Sequence, residues 1–227
     1  MASLERNSHV DPPIQPPDTD RVGWAVELIH SVCDPVVAAH CERSFQFAGL
    51  IARLEGLQPD LEVLFLGTVL HDLGLAPRLQ GPDRFEMRGA NHVREVLLGT
   101  GMDPVRVGNA WDVIALHASS AIAAHKSLET SLANRGISVD VRGAGIERLS
   151  PVDVERVLAC FPRRGFTETF SRILIAEVHA NPASARLSWL ESIAARSIPG
   201  YQPTDFLAAL ESSTAAFPPD PIPEFPA

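Results

Sequence analysis

The run Leu64-Phe65-Leu66-Gly67-Thr68-Val69-Leu70-His71-Asp72-Leu73-Gly74 constrains this chain more than any other stretch. Apolar residues at this density belong inside a core. They predict a buried helix that starts near Pro59-Asp60 and carries through to His71-Asp72, with Gly74 ending it. Packing alone does not call for the two polar residues that close the run. An ionised carboxylate beside an imidazole is costly to bury unless both are paired or share a metal ion. A hydrogen-bonded core pair is the plain reading of such a dipeptide, so the rest of the chain has to decide.

Around the run, the chain punctuates itself into helices. Thr19-Asp20 offers an N-cap for VGWAVELIHSV. Asp34-Pro35 opens the next helix with proline at its first position. Val37, Phe45, Ala48, Ile51 and Ala52 recur there at helical spacing over 36–54, and Gly56 stops it. After the central run, 76–89 reads as a charged loop containing PRLQGPDRFEMRG, followed by a helix over 90–99 that includes His92. Pro104 restarts a helix ending in WDVIALHASS, with His117 at its C-terminal end. The stretch 121–140 reads as a further helix broken at Gly136, with Asp140 just beyond the break. Ser150-Pro151 caps VERVLACF, PRRG interrupts the chain before FTETFSRILIAEVHA, and two more helices follow near 184–196 and 203–211. No segment alternates between turn signals as a strand does, and no repeat recurs at a fixed period. The expected fold is all-α: one compact helical bundle over 20–212. A flexible proline-rich segment at 1–19 precedes it and a flexible proline-rich tail at 213–227 follows it.

A length of 227 residues suits one domain, and 45% hydrophobic residues supply its core. A net charge of −9 argues against nucleic acid or an anionic membrane surface as partner and leaves a small molecule. Three cysteines without a CxxC argue for a reducing compartment. The N-terminus lacks the apolar stretch of a signal peptide, and no segment approaches the ~20 apolar residues that span a bilayer. A cytoplasmic location is expected, and a homo-oligomer is compatible with the sequence.

His40, the pair His71-Asp72, and Asp140 fall on or near the ends of three different expected helices. Imidazole and carboxylate suit zinc, iron or manganese, and ligands from separate helices can converge inside a bundle. The order H…HD…D, with the HD pair closing an apolar helix, resembles the HD-domain superfamily of all-α metal-dependent hydrolases and lyases. LFLGTVLHDLGL, RFEMRGA, WDVIALHASSAIA, VDVRG and VLACFPR, in that order over about 35–165, look like its cyanamide hydratase-like branch. The resemblance implies His40, His71, Asp72 and Asp140 as ligands of one divalent ion, Zn2+ before Fe2+ or Mn2+. It implies addition of water to a small nitrile-type compound, cyanamide or a close analogue, with Asp72 and His117 in catalytic roles. Glu147 and Asp153 rank below Asp140 as the last ligand, because they belong to the next turn and cap.

His92 and His117 stand in the order that a second metal would use, and His117 could equally act as a proton relay behind one ion. Arg84, Phe85 and Glu86 are candidates for the substrate pocket; a salt-bridged loop is the competing reading. Two other chemistries stay open. A phosphohydrolase would need Arg43, Arg78, Arg84 or Arg88 on the phosphate, and a dinuclear-iron oxygenase would need His92 and His117 as ligands. A binding module built on a degenerate HD domain would be expected to have lost ligands. The chain contains no GxxxxGK[ST], GxSxG or HExxH.

Overall fold

The computed structural model describes residues 11–213, which form helices and connecting turns without a β-strand. The helices are α1 (Asp20–Val32), α2 (Pro35–Glu55), α3 (Leu61–Val69), α4 (Phe85–Gly99), α5 (Pro104–Leu116), α6 (Ser120–Ala123), α7 (Leu128–Arg142), α8 (Pro151–Cys160), α9 (Phe166–Ala180), α10 (Pro182–Ala185), α11 (Glu191–Ser197) and α12 (Phe206–Ser213). Their starts follow local chemistry. Thr19, Asp34, Asp60, Asp103 and Ser127 each accept a hydrogen bond from a backbone N–H of the first turn. Gly56 closes α2 in the left-handed region at φ 66°, as its lack of Cβ allows. No described helix is long and apolar enough to cross a membrane.

The main core lies between α2, α3, α5 and α7. Helix α3 is buried on nearly all sides, which is why its sequence is apolar without a polar face. Its entry is fixed by Glu62, which accepts bonds from Thr19 Oγ1 (2.8 Å), Arg21 Nε (3.0 Å) and Arg106 (2.7 Å) and so ties α1, α3 and α5 together. Helices α2 and α7 pack backbone against backbone at Gly136. A Cβ there would stand 2.5 Å from Ser44 O and 2.6 Å from Ala48 N. A smaller apolar cluster, with Leu75, Phe85, Leu174, Val178 and Leu190, joins the start of α4 to α9 and the chain beyond it.

Five sequence expectations change. Helix α3 stops at Val69, so His71 and Asp72 stand in the turn before a 3-10 turn at Leu73–Leu75, rather than on the helix. Helix α4 starts at Phe85, five residues before the expected start at Ala90, because Phe85 is buried in the smaller cluster and draws its turn inward. The expected helix over 121–140 divides at the Ser127 cap, and α7 then runs unbroken through Gly136. That glycine is there for close packing against α2, not for a break. The expected helix over 184–196 is two short ones, with Leu187 at φ 56° between them. Residues 11–19, expected to be flexible, are held on the domain. Ile14 N–H donates to Gln46 Oε1 (2.9 Å), and Gln46 Nε2 donates back to Ile14 O (2.8 Å). Residues 1–10 and 214–227, with His9 and most of the expected tail, lie outside the described residues.

Candidate metal centre

His40, from the second turn of α2, meets His71 and Asp72 just beyond the end of α3; all three are buried. Their ligand atoms lie within 4.8 Å of one another, a group that could hold a metal ion. His40 Nε2 is 3.2 Å from His71 Nε2. Asp72 Oδ2 is 3.1 Å from His71 Nε2 and 3.6 Å from His40 Nε2. His117, the C-cap of α5, brings its Nε2 to 3.7 Å from Asp72 Oδ1.

The opposite nitrogens of these rings decide what faces inward. His71 Nδ1 stands 2.7 Å from Thr68 O, a carbonyl released by the end of α3. His117 Nδ1 stands 2.7 Å from Ile114 O. A carbonyl only accepts, so both Nδ1 atoms carry the proton. His40 Nδ1 is 2.6 Å from Asp140 Oδ2, and a carboxylate likewise receives the proton. Each ring therefore turns its Nε2 toward Asp72, and on His71, whose pKa Asp72 raises, a second proton would sit on that atom, 3.1 Å from Asp72 Oδ2. Neither oxygen of Asp72 has a hydrogen-bond partner, although both are buried. His40 Nε2 and His71 Nε2 meet in hydrogen-bonding geometry at 3.2 Å, a bond that forms only when one of the two rings carries a second proton. Three imidazole nitrogens and a carboxylate thus converge, and a cation fits such a cluster: a proton on His71, or a metal ion held by His40, His71 and Asp72.

Burial disfavours charge on every group here, and the neighbours decide the outcome. His40 is pushed down by burial, against the pull of Asp140. His117 is pushed down by burial and by His71. Burial also opposes charge on His71, but the Asp72 carboxylate outweighs it and raises the pKa. Asp72 is held well below the usual carboxylate range, since His71 overcomes the burial penalty.

Asp140 occupies a different place from the one the resemblance implies. It lies behind His40, on the ring's Nδ1 side, not among the converging atoms. Arg43 explains this. Arg43 is fully buried and one turn after His40 on the same face of α2. It grips the Asp140 carboxylate through Nε (2.7 Å) and Nη2 (2.8 Å), and it donates to Pro162 O (2.9 Å). Burial would raise the Asp140 pKa, but His40 and Arg43 bring it to about 2. Such a carboxylate fixes the tautomer and orientation of the imidazole in front of it.

A cavity of about 400 Å³ opens in front of the cluster. Phe166 and Phe170 of α9 form one wall and flank the His40 ring, with centroids 4.7 and 5.4 Å away. Phe85 and Trp189 form another. Of the three expected pocket residues, only Phe85 lines the cavity. Glu86 is buried behind it and accepts the Trp189 indole N–H at 3.0 Å, and Arg84 is the counter-ion of Glu86. His92 is half-buried in α4 and joins no metal-capable group among the described residues.

The sequence points to Arg43 only as a phosphate ligand, not as the partner of Asp140, and it does not single out Phe166, Phe170 and Trp189. The i+3 spacing from His40 to Arg43, and the i+4 spacing of the two phenylalanines, were signals of a shared face. Trp189 meets Glu86 across 103 residues and left no local signal. No family model matches this chain, and no curated protein matches it.

Proposed function

We propose that the chain is a metal-dependent enzyme of HD type that adds water across a carbon–nitrogen multiple bond of a small compound, with cyanamide as the simplest substrate and urea as its product. The observation that carries this is the convergence of three imidazole Nε2 atoms and a bondless carboxylate in a buried cluster. His40, His71 and Asp72 would hold the ion and leave a position open toward the cavity, the arrangement of catalytic rather than structural sites. A divalent ion supplies Lewis acidity and makes water nucleophilic near neutral pH.

The chain's own residues do the rest. Asp140 and Arg43 keep the His40 ring in one tautomer. His117 keeps a proton on Nδ1 through Ile114 O, so its Nε2 is the atom that takes a proton from the incoming water and returns it to the substrate nitrogen. Asn134 holds His117 in place by donating to its backbone carbonyl at 2.5 Å. Phe166, Phe170 and Phe85 keep water other than the reactant away.

The other chemistries have less support. Arg43, Arg84 and Arg88 are committed to Asp140, Glu86 and Glu177, and Arg78 is exposed on a 3-10 turn, so none of the four lines the cavity for a phosphate. An oxygenase with two irons needs a second ligand set, and His92 joins none among the described residues. The test is urea formation from cyanamide by the zinc-loaded protein, with His71→Ala as control. Urea from the wild type alone is expected. Equal rates in both would overturn the site, and a zinc-loaded wild type that makes no urea would overturn cyanamide as substrate.

A further inference from the structure

Cyanamide has three heavy atoms, whereas a cavity of about 400 Å³ is of the size that holds a drug-sized ligand. Most of the space in front of the cluster therefore awaits a larger molecule. Its walls state what kind. The inner part is aromatic and aliphatic, with Phe166, Phe170, Trp189 and Leu174. Polar residues complete the lining, and several of them also line a second cavity of about 270 Å³. Ser120, Asn134, Ser138 and Arg142 line both.

Arg142 is the cation at this junction. Its guanidinium donates to Ser138 Oγ at 2.9 Å, and no ion pair to a carboxylate is formed by it among the described residues. The neighbouring cations do not share its situation. Arg135 and Arg148, on the wall of the second cavity, both bind Glu55 (2.5 and 3.0 Å). Three arginines thus face one carboxylate, a local positive excess on a chain of net charge −9. The last turn of α7 also suits a cation through the helix dipole. The dipole accounts for the charge but not for its place in the wall of the metal cavity.

We propose that the substrate is an amphiphilic small acid: its reacting group meets the metal cluster, its apolar body lies along Phe166, Phe170 and Trp189, and its oxyanion, a carboxylate or a phosphate, is received by Arg142. This rests on the metal reading above and names the substrate class for it. The planar guanidinium offers paired N–H donors that match either oxyanion.

The test is calorimetric titration of the zinc-loaded, full-length protein with 4-cyanobenzoate and with its neutral counterpart 4-cyanobenzamide, repeated on Arg142→Gln. An ion pair with the solvent-exposed Arg142 predicts roughly three- to fivefold tighter binding of the acid by the wild type, and a ratio near one in the variant. Equal affinity of acid and amide for the wild type overturns the proposal. So does a preference that survives Arg142→Gln, because the carboxylate is then on the metal. Substituting 4-cyanophenyl phosphate shows which oxyanion is preferred: tighter binding than the benzoate, lost in the variant, assigns phosphate, and the reverse assigns carboxylate. Zinc stoichiometry of wild type and Asp72→Ala is read on separate samples. Equal zinc in those two overturns the metal reading by itself, whereas titrations of zinc-free protein report on Arg142 alone.

Discussion

Asp72 and Asp140 are both buried carboxylates on either side of one imidazole, yet they live in opposite circumstances. Asp140 receives His40 and two N–H groups of Arg43, and its own backbone carbonyl is bonded by Arg163 at 2.8 Å. Asp72 receives nothing. Burial without pairing is expensive, so the two groups cannot have the same purpose. The satisfied one is architecture, holding a ring in place. The unsatisfied one stands in a group that could hold a metal ion. Burial and residue type are shared; the difference lies in donors.

The largest effect should come from removing the bondless member. Asp72→Ala is expected to abolish stoichiometric metal binding and urea formation while the helical fold persists, read by metal content and circular dichroism. Full occupancy in that variant would erase the distinction between the two carboxylates. Asp140→Asn should act the other way, chiefly on stability. It leaves Arg43 buried without its counter-charge, and breaking such a pair costs about 3–5 kcal/mol. Urea denaturation measures it.

The pH dependence sharpens the same point. The Asp140 pKa is lowered on folding, so its stabilisation is complete above the ordinary carboxylate range near 4 and is lost as pH falls toward about 2. Wild type should lose stability between about pH 4 and pH 2 more steeply than Asp140→Asn. Gly136→Ala comes next, at about 1–3 kcal/mol, because its methyl would press on Ser44 O and Ala48 N and move His40 relative to Asp140. The smallest effect is expected for Asp72→Asn in metal-free protein. The carboxylate's attraction to His71, 3.1 Å away, is lost while the fold is otherwise kept, and urea denaturation should show a loss of about 1 kcal/mol.

Much of this was legible beforehand for identifiable reasons. Asp34-Pro35, Gly56 and Asp103-Pro104 mark helix ends because capping is local chemistry. His40, His71 and Asp72 could be picked out because metal-ligand residue types stand out in apolar surroundings. Reading Gly136 as a break failed because a glycine permits both a bend and a close approach, and only the neighbouring helix decides between them. The side of the His40 ring on which Asp140 sits was equally hidden, since it depends on Arg43 reaching the same carboxylate. The start of α4 was missed because Arg84 provides no side-chain cap, so a buried Phe85 had to define it.

The link from Arg43 to Pro162 O reaches 119 positions along the chain. During synthesis His40, His71 and Asp72 emerge long before Asp140 and Pro162. Until those arrive, Arg43 has no counter-charge and the His40 ring has nothing to hold its orientation. A half-made chain therefore possesses the grasping atoms without the grip. An ion held by this cluster would be acquired late in the life of the molecule, and a chain truncated before the α8–α9 junction would be left an incomplete vessel for it.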